Sequence, residues 1–333
     1  MNILVTGGAG YIGSHAAKCL ALAGHSPVVY DNLSRGNKWA VRWGPFVHGE
    51  LNDKEKLFHT LKHYGIDAVL HFAASAYIGE SMREPGSYFQ NNSVNSLNLL
   101  EVMKAARVNR IVFSSTCAIY GDPEAIPIAE DHPRAPVSPY GESKLFVEKL
   151  LHWFGKLHGL QWVALRYFNA SGADPEGEIG ECHCPETHLI PLVLEAALDQ
   201  ASPVSIFGVD YPTPDGTAVR DYIHVSDLAN AHLKALDYLV ANRKSRAFNL
   251  GTGCGHSIRE VIDAAFFVTG HRPAVIEARR REGDPALLIA DAKLANRELG
   301  WHPQQSSLPS IVSSAWSWRM ANESRMLARA VAV

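Results

Sequence analysis

The sequence predicts an α/β fold in which a doubly wound parallel sheet carries a smaller C-terminal domain. Two observations predict this fold. Short apolar runs alternate with helical stretches through the first half of the chain, and glycine, small or polar residues follow the ends of the apolar runs. Such alternation is typical of βα units, whose strands lie parallel in one sheet. The chain has 333 residues, which is enough for a large core and for more than one domain.

The first element is a strand that leads into a glycine turn and a helix. The apolar residues 3–5 precede Gly7, Gly10 and Gly13. Gly7 would allow the tight turn, Gly10 would let the backbone approach a pyrophosphate, and Gly13 would let the helix pack close to the strand. The helix N-terminus would then face the phosphates. This pattern predicts a Rossmann-like dinucleotide site.

The second apolar run, residues 27–30, ends at Asp31. A carboxylate in this position binds the adenosine ribose hydroxyls and repels a 2′-phosphate, so NAD is favoured over NADP. Arg35 follows this strand and offers an alternative partner for a 2′-phosphate. With Asp31 present, we interpret Arg35 as a solvated loop residue.

The later elements continue the alternation. Strands are predicted at residues 46–47, 68–72, 110–113 and 162–165, and helices at residues 92–107 and 141–158. Ligands of open α/β sheets bind at the strand ends, where this chain has the small or polar residues 73–75 and 114–116.

The chain changes character past residue 168, where long loops are rich in Gly, Pro and Asp. The predicted division is a dinucleotide-binding domain at residues 1–168, to which the segment 222–252 returns. A substrate-binding domain is predicted at residues 169–221 and 253–333.

Tyr140 and Lys144 form a candidate acid/base unit, because residues four apart on a helix lie side by side. A free phenol has a pKa near ~10, and a neighbouring ammonium and a cationic nicotinamide would both favour the phenolate. Such a tyrosine could take a proton from a sugar hydroxyl.

Composition excludes several other classes of function. The 31 basic and 34 acidic side chains give a net charge of −3 without a long basic run, so nucleic acid is not an expected partner. No stretch approaches the ~20 apolar residues of a membrane span, and Met1 leads into a strand rather than a signal peptide, which predicts a cytoplasmic protein. The five scattered cysteines do not indicate a disulfide framework.

A possible metal cluster contains Cys182, His183, Cys184 and His188. Zinc sites usually space two cysteines by two to four residues, whereas one residue separates these two and the chain has no second pair. We therefore expect no metal.

Ten motifs carry a resemblance to a known family. They are TGGAGYIGSH, DNLS, HFAA, GES, FSSTCAIYG, SPYGESK, LRYFNASGADPEG, FGVDYPTPDGTAVRDYIHVSDLA, NLGTG and REGDPALLIAD. Through nearly its whole length the chain resembles the extended short-chain dehydrogenase/reductase family. Within that family it resembles the UDP-glucose 4-epimerases, and among these the bacterial enzymes of exopolysaccharide synthesis. The block ending in VRDYIHV is specific to nucleotide-sugar epimerases and their nearest relatives.

The resemblance implies an activity and its catalytic residues. NAD would oxidise UDP-glucose or UDP-galactose transiently at C4, and the 4-keto sugar would turn over before it is reduced again. Tyr140 would be the acid/base, Lys144 would hold the nicotinamide ribose and lower the tyrosine pKa, and Thr116 would bond the sugar O4. The loop with Cys182 and His188 would contact substrate.

The resemblance also implies two sets of binding residues. The cofactor set is Gly7, Gly10, Tyr11, Ile12, Gly13, Asp31, Asn32, Leu33, Glu50, Leu51, Phe72, Ala73, Ala74, Asn91, Ser114, Tyr140, Lys144, Tyr167 and Ala170. The substrate set is Thr116, Tyr140, Asn169, His188, Leu189, Ser205, Phe207, Arg220, Tyr222, Arg281, Asp284 and Leu288. Arg220 and Arg281 would clamp the diphosphate with their planar donors. Leu288 would set the room available to N-acetylated sugars.

The chain departs from the family at three of these places. Many relatives have Pro where Ala170 stands, several place Lys on the pyrophosphate where Ala76 stands, and the family often has Asp where Glu50 stands. Trp301 and Trp316 are interpreted as packing residues.

Alternative functions remain at this stage. A UDP-pentose 4-epimerase for xylose or arabinose would use the same residues, and a catalytically silent NAD-binding regulator would keep only the glycine turn. A 4,6-dehydratase is disfavoured because Cys117 and Ala118, rather than acids, follow Thr116. By resemblance, helices 92–107 and 141–158 would pair two subunits in a homodimer.

Overall fold

The computed structural model describes residues 1–241, 244–281 and 283–323. Parts of two predicted domain segments lie outside these ranges, namely residues 242–243 of the segment 222–252, and residues 282 and 324–333 of the segment 253–333. None of the helices in the described ranges combines the length and apolar character that crossing a bilayer requires.

The strands form one large sheet and two small ones. In chain order they are β1 (Asn2–Thr6), β2 (Ser26–Asp31), β3 (Phe46–His48), β4 (Ala68–His71), β5 (Arg110–Thr116), β6 (Gln161–Tyr167), β7 (Asn169–Ser171), β8 (Val204–Phe207), β9 (Val219–His224), β10 (Arg246–Leu250), β11 (Gly255–Ser257), β12 (Val275–Ala278) and β13 (Leu287–Leu288).

The α-helices are α1 (Tyr11–Leu22), α2 (Lys54–His63), α3 (Ile78–Arg83), α4 (Pro85–Tyr88), α5 (Asn95–Ala106), α6 (Pro139–His158), α7 (Leu189–Leu198), α8 (Val225–Val240), α9 (Ile258–Thr269), α10 (Lys293–Leu299) and α11 (Leu308–Ala321).

The large sheet is parallel and has the order β10-β6-β5-β4-β1-β2-β3. The chain starts in β1, builds outward through β2 and β3, and then crosses to the other side at β4. The strand order therefore reverses between β1 and β4, which is where doubly wound sheets bind ligands. The predicted fold class is confirmed, and the predicted strands lie within β3, β4, β5 and β6, except that Phe72 follows the end of β4.

Helix α6 is set by its local sequence. Ser138 caps it by accepting a hydrogen bond from the Gly141 amide at 3.2 Å, Pro139 occupies its first turn, and Gly159 ends it in a left-handed conformation with φ +71°. The other predicted helix, residues 92–107, is shorter than expected because Phe89–Val94 forms a π-helical turn ahead of α5.

Two apolar cores cover the two faces of the large sheet. One core contains Leu57, Leu99 and Leu151, from α2, α5 and α6. The other contains residues of α1 and α8 and also Trp301, which is fully buried. Residues of α10 join this second core, so part of the predicted segment 253–333 packs against the large sheet. The predicted domain boundaries themselves stay a prediction.

A separate group of small strands stands on the C-terminal side of the chain. Strand β9 pairs with β7, β11 and β13, and β8 pairs with β12. A third core joins α7, α9 and α11, and Trp316 packs against it. The interpretation of Trp301 and Trp316 as packing residues is thus confirmed.

Candidate functional site

The glycine turn after β1 is packed too closely for side chains. A Cβ atom on Gly7, which has φ +71°, would lie 2.6 Å from the amide nitrogen of Ala73. A Cβ atom on Gly13 would lie 2.3 Å from the carbonyl oxygen of Gly7. The turn therefore sits against the residues that follow β4, at the point where the strand order reverses.

The N-terminus of α1 fits an anionic group. Gly10 is its N-cap without a side-chain cap, and its first turn contains no acidic residue. Uncapped amides at a helix N-terminus attract phosphate through hydrogen bonding and the helix dipole. The Tyr11 hydroxyl donates to the carbonyl oxygen of Gly172 at 2.6 Å, which joins this turn to the loop after β7.

Asp31 fastens the loop that follows β2. Its carboxylate accepts hydrogen bonds from the Ala9 amide at 3.0 Å and the Leu33 amide at 2.8 Å. Burial raises the pKa of Asp31, and these amides act in the opposite direction. Arg35 lies in this loop with its side chain 40% exposed, and its Nη2 lies 2.6 Å from Oε1 of Glu80, an ion pair that the sequence did not predict.

The predicted cofactor residues gather at the carboxyl edge of the large sheet, except for a few. Those in the glycine turn or at strand ends are Gly7, Gly10, Tyr11, Ile12, Gly13, Asp31, Asn32, Leu33, Phe72, Ala73, Ala74, Ser114 and Tyr167. Glu50 and Leu51 follow β3, Asn91 lies in the π-helical turn, and Ala170 lies in β7. Leu51 is buried in the core, whereas Glu50 is exposed.

Tyr140 and Lys144 stand near the start of α6, next to the end of β5. Thr116, the last residue of β5, makes a side-chain hydrogen bond to Tyr140. The Lys144 ammonium donates to the carbonyl oxygen of Ser114 at 2.9 Å and lies 5.0 Å from the centre of the Phe113 ring. The three predicted catalytic residues are therefore assembled around the same strand end.

Burial dominates the ionisation of both α6 residues. It raises the pKa of Tyr140 to about 12, although the bond with Thr116 lowers it. Burial lowers the pKa of Lys144 to about 7. Without a ligand, Lys144 does not counteract the rise that burial causes in the Tyr140 pKa. The expected lowering of that pKa therefore requires a further positive charge.

Sequence reasoning missed a polar network behind these residues. Asn92 accepts from the Ser75 amide at 2.8 Å and donates to the Ser75 carbonyl at 2.9 Å and to the Ser143 hydroxyl at 3.0 Å. It thereby ties the loop after β4 to α6. Ser114 is engaged as well, in a short hydrogen bond with the Tyr167 hydroxyl. The sequence signal for this network was Asn92 itself, which follows the selected Asn91 and is buried in the structure.

The two arginines that were predicted to bind the diphosphate each contact a different residue. Arg220, in β9, forms an ion pair with Asp284. The guanidinium carbon of Arg281 lies 3.8 Å from the centre of the Phe207 ring, in a cation–π contact. Both arginines therefore have partners of their own before any ligand is considered.

Residues of β9 and β13 lie near the end of β5. Leu288 is the register partner of Arg220 and packs against a core cluster that contains Cys117 and Phe168. The charge of Arg220 also lowers the pKa of the Cys117 thiol, which burial raises to about 12 overall. Asn169 pairs with Tyr222 in the neighbouring strands.

The remaining predicted substrate residues lie on three elements. Ser205 and Phe207 alternate with the buried Ile206 along β8, so they share one face. Leu189 begins α7 and His188 is its N-cap. His188 and His183 come together with Glu181 and Glu186, which sequence reasoning did not select, and neither Cys182 nor Cys184 belongs to this group.

A family model for the NAD dependent epimerase/dehydratase family matches residues 3–251. The chain belongs to this family. A UDP-glucose 4-epimerase of Halalkalibacterium halodurans is 50% identical over 318 residues, which cover 96% of this chain and 95% of the relative. As an epimerase-family member, the chain uses NAD as its cofactor.

Two solved structures extend the similarity of this family member to three dimensions. A UDP-glucose 4-epimerase from Brucella ovis in complex with NAD has a TM-score of 0.93 and 49% identity, covering 95% of this chain and 97% of that one. A UDP-glucose-4-epimerase from Stenotrophomonas maltophila with bound NAD and formylated UDP-arabinopyranose has a TM-score of 0.94 and 41% identity, covering 98% of this chain and 99% of that one.

Proposed function

We propose that the protein interconverts UDP-glucose and UDP-galactose by transient oxidation at C4 of the hexose. One observation carries the proposal. Tyr140, Lys144 and Thr116 are assembled at the end of β5, on the same sheet edge as the glycine turn. The similarity to curated UDP-glucose 4-epimerases over nearly the whole chain supports the substrate.

Tyr140 is the proposed proton acceptor and donor for O4 of the sugar. In the protein alone its pKa is about 12, so it must be shifted toward the phenolate before it can take a proton at neutral pH. Thr116 stabilises the phenolate by donating a hydrogen bond, and Lys144 adds positive charge when it is protonated. Because Tyr140 keeps the proton, it can return it to O4 of either epimer.

NAD, when bound, supplies an acceptor that takes the C4 hydrogen with its electrons and gives them back. The residues that would hold it are the glycine turn, the uncapped start of α1 and Asp31. Asp31 would accept hydrogen bonds from the adenosine ribose and disfavour a 2′-phosphate.

The UDP group would be held more firmly than the hexose. Arg220 and Arg281 would exchange their present partners, Asp284 and Phe207, for diphosphate oxygens. Leu189 and Phe207 would border the uracil, and Asn169 and Tyr222 would contact the sugar nucleotide. Placing binding energy on the non-reacting part of the substrate leaves the hexose free to present either face.

A homodimer is part of the proposal. Four large apolar side chains of the π-helical turn and α6 are exposed: Phe89 by 41%, Phe146 by 46%, Trp153 by 52% and Leu157 by 65%. Burying such side chains between two copies of α5 and α6 would form a four-helix contact. Sedimentation of the purified protein tests this assembly.

The cellular setting is proposed on chemical grounds. The five cysteines, all within the described ranges, are free thiols, which fits a reducing compartment such as the cytoplasm. Supply of UDP-galactose for exopolysaccharide is the proposed metabolic role.

One experiment tests the substrate directly. The pure protein is incubated with UDP-glucose, UDP-xylose and UDP-N-acetylglucosamine in parallel, and the epimers are separated by chromatography. We expect UDP-galactose from UDP-glucose as the fastest conversion. Faster turnover of UDP-xylose would favour the pentose epimerase, for which the arabinopyranose ligand of the Stenotrophomonas structure is the supporting observation. Retained NAD without any conversion would indicate a silent regulator.

A further inference from the structure

Four side chains in the loop before α7 converge on one point. The Nδ1 atom of His183 lies 3.1 Å from Oε1 of Glu181 and 3.6 Å from Oε2 of Glu186. The Nδ1 atom of His188 lies 2.6 Å from Oε1 of Glu181 and 3.3 Å from Oε1 of Glu186. One ligand atom from each of the four residues lies within 4.8 Å of all the others.

Three atoms at the centre of this cluster make no hydrogen bond. Glu181 is only 7% exposed, and its Oε1 atom is buried without a hydrogen-bond partner, as are the Nδ1 atoms of His183 and His188. A buried carboxylate oxygen without a partner costs free energy unless a cation meets it. When protonated, the two imidazoles face this oxygen as ion-pair partners, and a zinc ion would take the place of those protons.

We propose that Glu181, His183, Glu186 and His188 form a zinc site. Zinc binds imidazole nitrogen and carboxylate oxygen at ~2.1 Å in tetrahedral geometry, so neighbouring ligand atoms should lie ~3.4 Å apart. Three of the four separations, 3.1, 3.3 and 3.6 Å, are near this value, and the 2.6 Å between His188 and Glu181 would have to widen on metal binding. Two imidazoles disfavour calcium and magnesium, which prefer oxygen ligands. One zinc ion would balance the charge of the two carboxylates.

The loop backbone is already fixed around this point. The carbonyl oxygen of Glu181 accepts from the Trp318 indole at 3.2 Å, and the carbonyl oxygen of Cys182 accepts from the Asn37 side chain at 3.1 Å. The Glu186 carboxylate accepts from the amides of Thr187 at 2.7 Å and His188 at 2.9 Å. Such outer contacts orient metal ligands before the metal binds.

A second acidic cluster provides a contrast. Asp174, Glu176 and Glu178 also lie close together, but the Lys18 ammonium stands among them at 2.9, 2.7 and 2.7 Å. That cluster has its own cation. No Lys or Arg ion pair to Glu181 or Glu186 is present among the described residues.

The test measures metal directly. The full-length protein is purified with its NAD, stripped with a chelator, reloaded with one equivalent of zinc chloride and passed through gel filtration. Elemental analysis should find about one zinc per chain. Cobalt loaded in place of zinc should give the intense visible absorption of four-coordinate cobalt. Chelation should lower the melting temperature of the wild-type protein.

Variants separate this site from other histidines and from the neighbouring thiols. His183→Gln should weaken zinc binding at least ~100-fold. Cys184→Ser should leave zinc binding unchanged, and so should His63→Gln, which breaks the stacked pair of His59 and His63 on α2. Circular dichroism checks the fold of each variant.

Three results would overturn the site. They are a wild-type zinc content below about 0.1 per chain after reloading, unchanged zinc binding in His183→Gln, and loss of zinc in His63→Gln. If His183→Gln does not fold, the cobalt spectrum of the wild-type protein decides, because a six-coordinate spectrum or none contradicts the four-ligand geometry. None of these measurements depends on the proposed epimerase activity.

Discussion

The cofactor side of the candidate site and its proposed sugar-nucleotide side hold their residues in place by different means. On the cofactor side, backbone contacts fix the geometry, and added atoms on Gly7 or Gly13 would lie within 2.6 Å of neighbouring backbone. On the other side, Arg220 is paired with Asp284 and Arg281 with Phe207. The cofactor side is therefore preorganised, whereas binding of a diphosphate by Arg220 and Arg281 would require both side chains to exchange partners.

Tyr140 lies where the two sides meet, and its replacement should have the largest effect. Tyr140→Phe should keep the fold and bound NAD but lower kcat for UDP-glucose epimerisation by about 10²- to 10⁴-fold, because the proton acceptor is lost. Steady-state kinetics and the NAD content of the purified variant measure this. Near wild-type turnover would show that another group moves the O4 proton.

Lys144 is a buried ionisable group on the cofactor side of the site, so its titration tests what burial on that side costs. Its pKa is lowered to about 7 by burial, whereas an unfolded lysine titrates near ~10.4. Between these two values the unfolded chain binds a proton that the folded chain does not, so the NAD-free protein should gain stability as the pH rises through this window. Below pH ~7 Lys144 is protonated in both the folded and the unfolded chain, so the free-energy cost of burying its charge no longer changes with pH.

Lys144→Met should therefore raise the free energy of unfolding of the NAD-free protein at pH 7 by on the order of 4 kcal/mol, less the lost bond to Ser114. This difference in the free energy of unfolding between the variant and the wild-type protein should vanish near pH ~10.5. Urea unfolding across this range measures it. Lys149→Met, an exposed position on the same helix, is the control and should show no such pH dependence.

Gly13→Ala tests whether backbone contact alone builds the cofactor side. The new Cβ would lie 2.3 Å from the Gly7 carbonyl oxygen, so the variant should lose ~3 kcal/mol of stability or more, together with NAD affinity. Gly86→Ala is the matched control, since nothing lies within 4 Å of its Cβ position. Equal behaviour of the two variants in thermal unfolding and NAD titration would contradict the packing argument.

Asp31→Ala should shift the ratio of NAD to NADP affinity by about tenfold toward NADP, which corresponds to about 1.4 kcal/mol. Asp31→Asn keeps the shape and removes only the charge, so it separates repulsion of a 2′-phosphate from the loop contacts of Asp31. Fluorescence titration with both dinucleotides measures the ratio. If the ratio does not move, Asp31 does not set the preference.

Leu288→Ala, on the proposed sugar-nucleotide side of the site, should have the smallest effect. The smaller side chain would admit an acetamido group, so kcat/KM for UDP-N-acetylglucosamine relative to UDP-glucose should rise about three- to tenfold. Leu287→Ala, on the adjacent position of β13, is the control. A wild-type protein that converts both sugars equally would already contradict this role of Leu288.

The difference between local backbone contacts and contacts of distant side chains also explains what the sequence could predict. The parallel strands, the glycine turn and the start of α6 follow from local patterns, because their conformations are set by near neighbours. The ion pair of Arg35 could not be predicted, because its partner, Glu80, is 45 residues away in the chain. Residues 92–94 of the predicted helix 92–107 belong to the π-helical turn rather than to α5. The spacing of apolar residues does not distinguish a π-helical turn, which contains one more residue, from an α-helical one.

The zinc ligands show the limit most clearly. The cluster considered in the sequence contained His183 and His188 together with two cysteines, and the pattern Glu-x-His, which occurs twice in the segment 181–188, was not considered. These four residues are two to seven positions apart in a loop, and only the path of the backbone decides whether such residues meet or diverge. The pairs Arg220–Asp284 and Arg281–Phe207 could likewise not be read from the sequence, because each joins residues more than 60 positions apart.

The burial of Trp301 in the first core has a consequence for synthesis of the chain. Strand β10 completes one edge of the large sheet, and Trp301 fills the core beneath it, yet both leave the ribosome long after the residues of β6. At ~5–20 residues per second, the first six strands wait on the order of ten seconds for these partners. During that interval the edge of β6 and the apolar face that Trp301 covers lack these partners, and unpaired strand edges and exposed apolar surface favour aggregation.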